Sequence, residues 1–106
     1  MRDEHKAILR VLGHFFLEHD QAGKALVVLQ ALRAVYPADA GIARSLSYAY
    51  LQAGRYQDAL DAARQADAEP DRGSIDLLQG KALWGLGRTD EARACLARYL
   101  ASRSLE

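Results

Sequence analysis

The sequence has little of what disulfide-stabilised, β-sheet or nucleic-acid-binding proteins need. Its single cysteine, Cys95, has no partner for an internal disulfide, and only two prolines with no run of alternating polarity argue against a sheet. Lysine plus arginine and aspartate plus glutamate number 14 each, so the formal net charge is +0. Because holding a nucleic-acid backbone takes a net basic face, no nucleic-acid partner is expected.

Long apolar runs are also missing. No stretch approaches the roughly 20 apolar residues of a membrane span. The start of the chain, MRDEH, lacks the apolar core of a signal peptide. The sequence therefore predicts a cytoplasmic protein without a membrane span.

Patterns typical of catalysis or metal binding are absent too. The histidines His5, His14 and His19 form neither a His-Glu-x-x-His string nor an i, i+4 pair. Cys95 has no histidine near it in sequence, and it falls on the inward side of a predicted helix. We therefore expect no enzyme, no metal site and no cofactor, and we expect Cys95 to be a buried, unreactive thiol.

The sequence does contain a pattern that occurs three times. Each copy begins with a small residue and ends with an alanine twelve residues later. The opening residues are Gly13, Ser47 and Gly80, and the closing residues are Ala25, Ala59 and Ala92. The steps between openings are 34 and 33 residues. A period in this range is typical of stacked helical hairpins.

Small residues at these positions have a packing explanation. Glycine inside a helix costs roughly 0.5 to 1 kcal/mol relative to alanine, so Gly13 and Gly80 are expected where a second helix crosses the first. The alanines meet that crossing from the other side and let the helix axes approach within about 8 to 10 Å. Gly54 and Gly87 follow the first helix of their repeats, and we expect them to end it in the left-handed conformation.

Apolar periodicity and these stop signals predict six helices. They run from about Asp3 to Glu18, Ala22 to Val35, Asp39 to Ala53, Tyr56 to Ala68, Ser74 to Leu86 and Thr89 to Ala101, with Pro37 and Pro70 between hairpins.

In this register the sequence resembles the tetratricopeptide repeat family. The pattern W-x2-L-G-x2-Y…A-x3-F…A…P falls in the first repeat on Leu9, Leu12, Gly13, Phe16, Ala25, Leu29, Leu32 and Pro37. The resemblance implies an all-α fold of three helical hairpins in a short right-handed superhelical array. The repeats are expected at about 6–39, 40–72 and 73–104, in a single domain over 1–104, and Leu105 with Glu106 is taken as a possible vector-derived tail.

Arrays of this kind bind partners on an inner, concave wall, which is lined by the first helix of each repeat. In this register the candidate residues are Arg10, His14, Leu17, Arg44, Tyr48, Leu51, Leu77, Lys81 and Trp84. Apolar anchors mixed with cations suit an amphipathic helix or an extended peptide that carries acidic residues. The alternative is that Tyr48 and Trp84 are core residues sealing neighbouring hairpins and that Arg10 and Arg44 are only solvated.

A second candidate surface lies at the C-terminal end of the array. Helical arrays normally close with a polar capping helix, and the sequence offers none after the sixth helix. We therefore expect an open apolar end formed by Leu96, Tyr99 and Leu100, which a partner would cover.

From His5 to Arg103 the chain further resembles the YscY (SctY) family of type III secretion chaperones. The likeness rests on residues 8–13, on 25–32 with Pro37, and on 92–100. It implies a cytoplasmic bacterial chaperone that binds a small helical secreted partner (YscX-like), keeps it export-competent and helps present it to the export gate. Two alternatives stay open: a general tetratricopeptide adaptor that scaffolds another complex, and a self-assembling module that forms a homodimer when alone.

Overall fold

The computed structural model describes residues 3–66 and 72–104, with side chains described over 3–66 and 74–103. All regular structure in these residues is helical. The six helices are α1 (Asp3–Glu18), α2 (Ala22–Val35), α3 (Ala40–Gln52), α4 (Tyr56–Gln65), α5 (Arg72–Gly85) and α6 (Thr89–Ser104).

The helix ends lie close to those predicted from the sequence. The bounds of α1 and α2 coincide with the prediction, and α3 is one residue shorter at each end. Helix α5 begins two residues earlier than predicted, and α6 continues three residues further. The predicted end of the fourth helix at Ala68 and the linking Pro70 lie outside the described residues.

The three hairpin turns share one backbone motif. Asp20, Gly54 and Gly87 all have positive φ, at 56°, 74° and 77°. In each turn the next amide donates a hydrogen bond five residues back; the pairs are Gln21 N to Phe16 O at 2.8 Å, Arg55 N to Tyr50 O at 2.9 Å and Arg88 N to Leu83 O at 2.9 Å. This is the Schellman closure, in which a left-handed residue satisfies the last carbonyls of a helix. The expected conformation of Gly54 and Gly87 is confirmed.

Within each hairpin the small residue of the first helix lies against the second helix. A Cβ on Gly13 would meet Leu29 Cδ2 at 3.2 Å, and one on Gly80 would meet Leu96 Cδ2 at 2.8 Å. Ser47 stands at the equivalent position of the second hairpin, where its hydroxyl donates a 2.8 Å hydrogen bond to Ala59 O. The closing alanines Ala25, Ala59 and Ala92 are fully buried. The small residues therefore lie at the helix crossings, as the sequence predicts.

The hairpins stack in chain order, and their first helices are also neighbours. Each helix packs on the next one along the chain, and α3 in addition contacts both α1 and α5. The prediction of an all-α array of helical hairpins is thereby confirmed. Because α3 lies in the middle of the stack, most of its residues are buried, whereas α1 buries only Gly13 and Leu17.

A charged contact joins the first hairpin to the second. Lys6 Nζ lies 2.7 Å from Asp39 Oδ2, and Asp39 Oδ1 accepts a 3.0 Å hydrogen bond from Ile42 N, which makes Asp39 the N-cap of α3. The hydrogen bond from Lys6 holds the pKa of Asp39 below its ordinary value, against the opposing effect of burial. One aspartate thus caps α3 and ties α1 to it.

The third hairpin contains a buried carboxylate. The Asp76 side chain is 4% exposed, and its Oδ1 lies 3.3 Å from Arg98 Nε on α6. Arg98 also donates from Nη2 to Cys95 Sγ at 3.1 Å. The contact with Asp76 raises the pKa of Arg98, so the guanidinium stays charged. The expected burial of Cys95 is confirmed.

Candidate functional site

A groove of about 340 Å³ lies between the first helices of the three hairpins. Eight residues line it: His14, Leu17 and Glu18 from α1, Arg44, Ser45 and Tyr48 from α3, and Ser74 and Leu78 from α5. The groove lies where the sequence places the concave wall.

Helical periodicity explains why these residues share one surface. On α1, His14 and Leu17 are three apart and Glu18 follows, while Arg44 and Tyr48 on α3 are four apart, so each set occupies one side of its helix. Ser45 is small and 7% exposed. Ser45 therefore adds little side-chain volume to the lining of the groove.

The floor of the groove is apolar and its rim is polar. Leu17 and Leu78 are 6% and 7% exposed, so a little of each side chain can still be covered by a ligand. Tyr48 is 46% exposed and presents a large ring that costs little conformational entropy to fix. An apolar floor with an exposed aromatic is the composition that binding grooves for peptides share.

Charges on the rim are not neutralised by one another. No hydrogen bond or ion pair joins Arg44, His14 or Glu18 to another residue of the described part of the chain. By contrast Lys6, also on α1, is already paired with Asp39. Arg44 therefore remains available for an anionic group of a ligand.

The other five predicted concave residues lie around this groove rather than in its lining. Arg10, Leu51 and Leu77 are half-buried, and Leu51 packs against the hydrophobic core. Lys81 is exposed and Trp84 is 57% exposed. The alternative in which Tyr48 and Trp84 seal the core therefore does not describe these two side chains.

The predicted C-terminal surface is divided between two environments. Leu96 is half-buried and lies over Gly80, so it packs within its own hairpin. Tyr99 is half-buried, with the Arg103 guanidinium 5.7 Å from the ring centroid, whereas Leu100 is 64% exposed. Leu100 is therefore the member of this set that offers most surface to a partner.

Reasoning from the sequence missed two sets of residues. The groove also uses Glu18, Ser45, Ser74 and Leu78, which adjoin predicted positions on the same helix faces. The larger omission is on α1, where the exposed apolar side chains are Ile8, Val11, Leu12 and Phe15. Their i, i+3, i+4, i+7 spacing is visible in the sequence. Leu9, Phe16 and Leu17 already provide the apolar face that packs in the hairpin interior, so a second apolar face on the same helix is more than the hairpin needs.

The described residues contain neither a cluster of three potential metal ligands nor a helix suited to cross a membrane. Over 3–66 and 72–104, no group of three His, Cys, Asp or Glu side chains is arranged to hold a metal ion. None of the helices in that part of the chain combines the length and the apolar character needed to cross a bilayer.

Comparison with known protein families gives two overlapping matches. One family model, described as a tetratricopeptide repeat, matches residues 10–74, and a second with the same description matches residues 50–104. Together they cover all three hairpins, and the first alone spans more than half of the chain. No curated protein sequence matches the chain significantly.

Proposed function

Because this chain belongs to the tetratricopeptide repeat family, whose arrays are typically non-catalytic protein-interaction scaffolds, we propose that the groove between α1, α3 and α5 binds a helical or extended segment of a partner protein. The observation that carries the proposal is the groove itself, with an apolar floor, an exposed Tyr48 and an Arg44 that no described residue pairs.

The dimensions of the groove suit a peptide segment. Its volume of about 340 Å³ lies at the lower end of the range for ligand-binding clefts. The exposed rings of Tyr48 and Trp84 and the leucines of the floor provide apolar contacts, which supply most of the binding energy in such complexes. A partner would therefore insert a few apolar side chains spaced along one face.

The charge on the rim favours an acidic partner segment. Arg44 lines the groove, and Arg10 and Lys81 lie on the same helices on either side of it. Glu18 is the one carboxylate in the lining. Cations of this kind set the register of a bound peptide and raise its association rate more than its affinity.

At a finer level we propose that the chain acts as an export chaperone of a bacterial type III secretion system. This rests on the resemblance of residues 8–13, 25–32 and 92–100 to the YscY family. In that role it would be a cytoplasmic protein of three repeats in one domain, binding a small YscX-like helical partner and presenting it to the export gate. Burial of the partner's apolar face would keep that partner soluble.

A general adaptor is the second candidate function. The groove and the two family matches are the features that favour it, because both are shared by tetratricopeptide arrays of many kinds. The adaptor and the chaperone differ in the partner, and the same experiment separates them.

The experiment measures binding of the small protein encoded beside this chain. The two are co-expressed and analysed by size-exclusion chromatography with light scattering, and their affinity is measured by calorimetry. A one-to-one complex is expected. Tyr48→Ala and Arg44→Glu should each weaken it by about tenfold or more, because each removes an anchor or reverses its charge. Arg93→Glu, a charge reversal at an exposed position of α6, should leave the affinity unchanged.

Each result leads to a definite conclusion. If neither Tyr48→Ala nor Arg44→Glu changes the affinity of the complex, the groove is not the binding site. A chain that ignores its neighbour but binds another protein through Tyr48 and Arg44 supports the adaptor function and refutes the export chaperone.

A further inference from the structure

Helix α1 carries an apolar stripe on the side turned away from the hairpin interior. Its four members and their exposures are Ile8 62%, Val11 69%, Leu12 38% and Phe15 48%. With typical side-chain areas these fractions amount to on the order of 400 Å² of apolar surface, which is the size at which exposed patches are usually interaction sites.

The same face is buried in the next hairpin. One repeat later, 34 residues on, the equivalents of the stripe on α3 are Ile42, Ser45, Leu46 and Ala49. All four are buried, and α3 packs against both α2 and α1 of the preceding hairpin; Ser45, the equivalent of Val11, also lines the groove. In α1 no described residue of the chain takes the place of that preceding hairpin. The stripe on α1 is therefore a packing surface whose partner lies outside the described chain.

The spacing of the stripe suits a second helix as the partner. Polar and apolar residues on this face recur every 3.5 residues: the pair Glu4–His5, then Ile8, then the pair Val11–Leu12, then Phe15, then the pair Glu18–His19. Over the one heptad from Ile8 to Phe15 this repeat departs from that of an ideal α-helix by only about 20°, so the stripe stays on one face and can pack along a second helix.

The two edges of the stripe differ in chemistry. One edge carries Glu4, Val11 and Glu18, and the other carries His5, Leu12 and His19, with Ile8 and Phe15 between them. The four polar members are all exposed. If two copies of this helix lay antiparallel, each edge would face its own kind, glutamate against glutamate. In a parallel pair related by a two-fold axis, each edge faces the opposite edge of the partner.

We propose that the stripe on α1 binds the same stripe of a second copy of the chain, with the two helices parallel across a two-fold axis. In this arrangement Ile8 and Phe15 pack against themselves, and Val11 packs against Leu12 of the other copy. Glu4 and Glu18 face His5 and His19 of the other copy, so carboxylates lie opposite imidazole rings rather than opposite each other. The pairing is complementary along the whole length of the stripe.

The C-terminal end of the stripe is already ordered for this contact. The rings of Phe15 and His19 are stacked with centroids 4.2 Å apart, and His19 Nδ1 lies 2.8 Å from Phe15 O. Because the Phe15 carbonyl only accepts, Nδ1 carries the hydrogen of this contact, and the ring is held at the end of the stripe. Pre-ordering of this kind lowers the entropy cost of association.

The area of the contact is sufficient for a specific dimer. Two copies bring together on the order of 800 Å² of apolar surface, which is the apolar share of an interface of roughly 1,300 Å², within the class of specific protein–protein interfaces. Area alone does not set the dissociation constant, and interfaces near this size include weak ones. We expect the chain alone to be dimeric at about 100 μM.

The first test compares two valines by sedimentation velocity. Val11 on the stripe and Val27 on α2 are both 69% exposed, so neither substitution by aspartate removes a core residue. Val11→Asp should raise the dimer dissociation constant about a hundredfold or more, because it leaves carboxylates unpaired in an apolar contact. Val27→Asp should leave that constant unchanged, and circular dichroism of both variants checks that the helices persist.

The second test fixes the orientation. In a parallel pair an Ile8→Cys variant meets its own cysteine across the axis and forms a disulfide-linked dimer under mild oxidation. Phe15→Cys does the same, whereas a Val27→Cys control stays unlinked. In an antiparallel pair, Ile8→Cys would instead link to Phe15→Cys when the two variants are mixed, and neither would link to itself.

The proposal is overturned by three results: a monomer at about 100 μM, a dimer unaffected by Val11→Asp, or the antiparallel pattern of links. If the stripe is instead covered by a different protein, the chain alone is monomeric and Val11→Asp weakens that complex. None of these measurements changes Tyr48 or Arg44, so the dimer and the groove are tested by different variants, although Glu18 belongs to both surfaces.

Discussion

Helices α1 and α3 occupy the same position in successive repeats, yet their apolar residues have different fates. Ile8 is 62% exposed and Leu12 is 38% exposed, whereas the equivalent Ile42 and Leu46 are both fully buried. The residue types are identical at both positions. The difference comes from the neighbour: α3 has the preceding hairpin on that side, and α1 has none among the described residues. Position in the array, rather than the identity of the residue, decides whether such a side chain belongs to the core.

Truncating the two equivalent leucines tests this difference in burial most directly. Leu46→Ala should lower the free energy of unfolding by about 2 to 4 kcal/mol, because it leaves a cavity in a closed core. Leu12→Ala should cost less than about 1 kcal/mol, since its side chain is partly in water already. Urea denaturation measures the unfolding free energy of both variants, at a protein concentration below the dissociation constant of any dimer.

Equal losses for the two variants would contradict the comparison. They would mean that the face of α1 is covered within the monomer to the same degree as that of α3.

A second prediction concerns the contact that ties the two helices together. Asp39→Asn should lower the free energy of unfolding by about 1 kcal/mol, because it removes the ion pair with Lys6 while the asparagine oxygen can still cap α3. The folded state holds the pKa of Asp39 below its ordinary value. The stabilisation is therefore complete above the unfolded pKa of about 3.9 and is lost as the pH falls through the folded pKa.

The measurement is the unfolding free energy of both forms at neutral pH and at progressively lower pH. The gap between wild type and Asp39→Asn should narrow below about pH 4. Asp58→Asn is the matched control, because Asp58 pairs with Arg55 within a single helix turn and joins no two hairpins. A gap that widens in acid would show that Asp39 is not stabilised by Lys6.

The smallest expected effect is at the hairpin turns. The first turn uses Asp20 at φ 56°, where the others use Gly54 and Gly87. A left-handed conformation costs an L-residue roughly 1 kcal/mol more than glycine, although aspartate tolerates it better than most. Asp20→Gly should therefore raise the melting temperature slightly, and Gly54→Ala should lower it by a larger amount. A lower melting temperature for Asp20→Gly would show that its side chain contributes more than its backbone costs.

The sequence predicts the hairpins well because their signals are local. Gly54 and Gly87 end helices through their own φ, and Gly13 and Gly80 mark crossings, where an added Cβ would lie 3.2 Å and 2.8 Å from a leucine of the second helix. These signals depend on residues within one repeat and need no knowledge of the rest of the chain. The bounds of α1 and α2 follow from them without correction.

The groove is predicted only in part for a geometric reason. His14, Leu17, Arg44 and Tyr48 line it, whereas Trp84 and Lys81 lie beyond it. The register of the repeat predicts which side of a helix faces inward. It does not predict how far along the helix the neighbouring hairpins stay close enough to form a cleft. That distance depends on the crossing angles between hairpins, which the period of the sequence does not contain.

The sequence by itself determined the helices, the turns and the repeat, because backbone conformation and hairpin packing are set by residues near one another in the chain. Only the tertiary structure decided which of several equivalent apolar faces are covered by another helix. Burial depends on whether another element lies opposite, so Leu46 is core and Leu12 is surface although both occupy the same slot of the repeat. The apolar stripe of α1 follows from that difference.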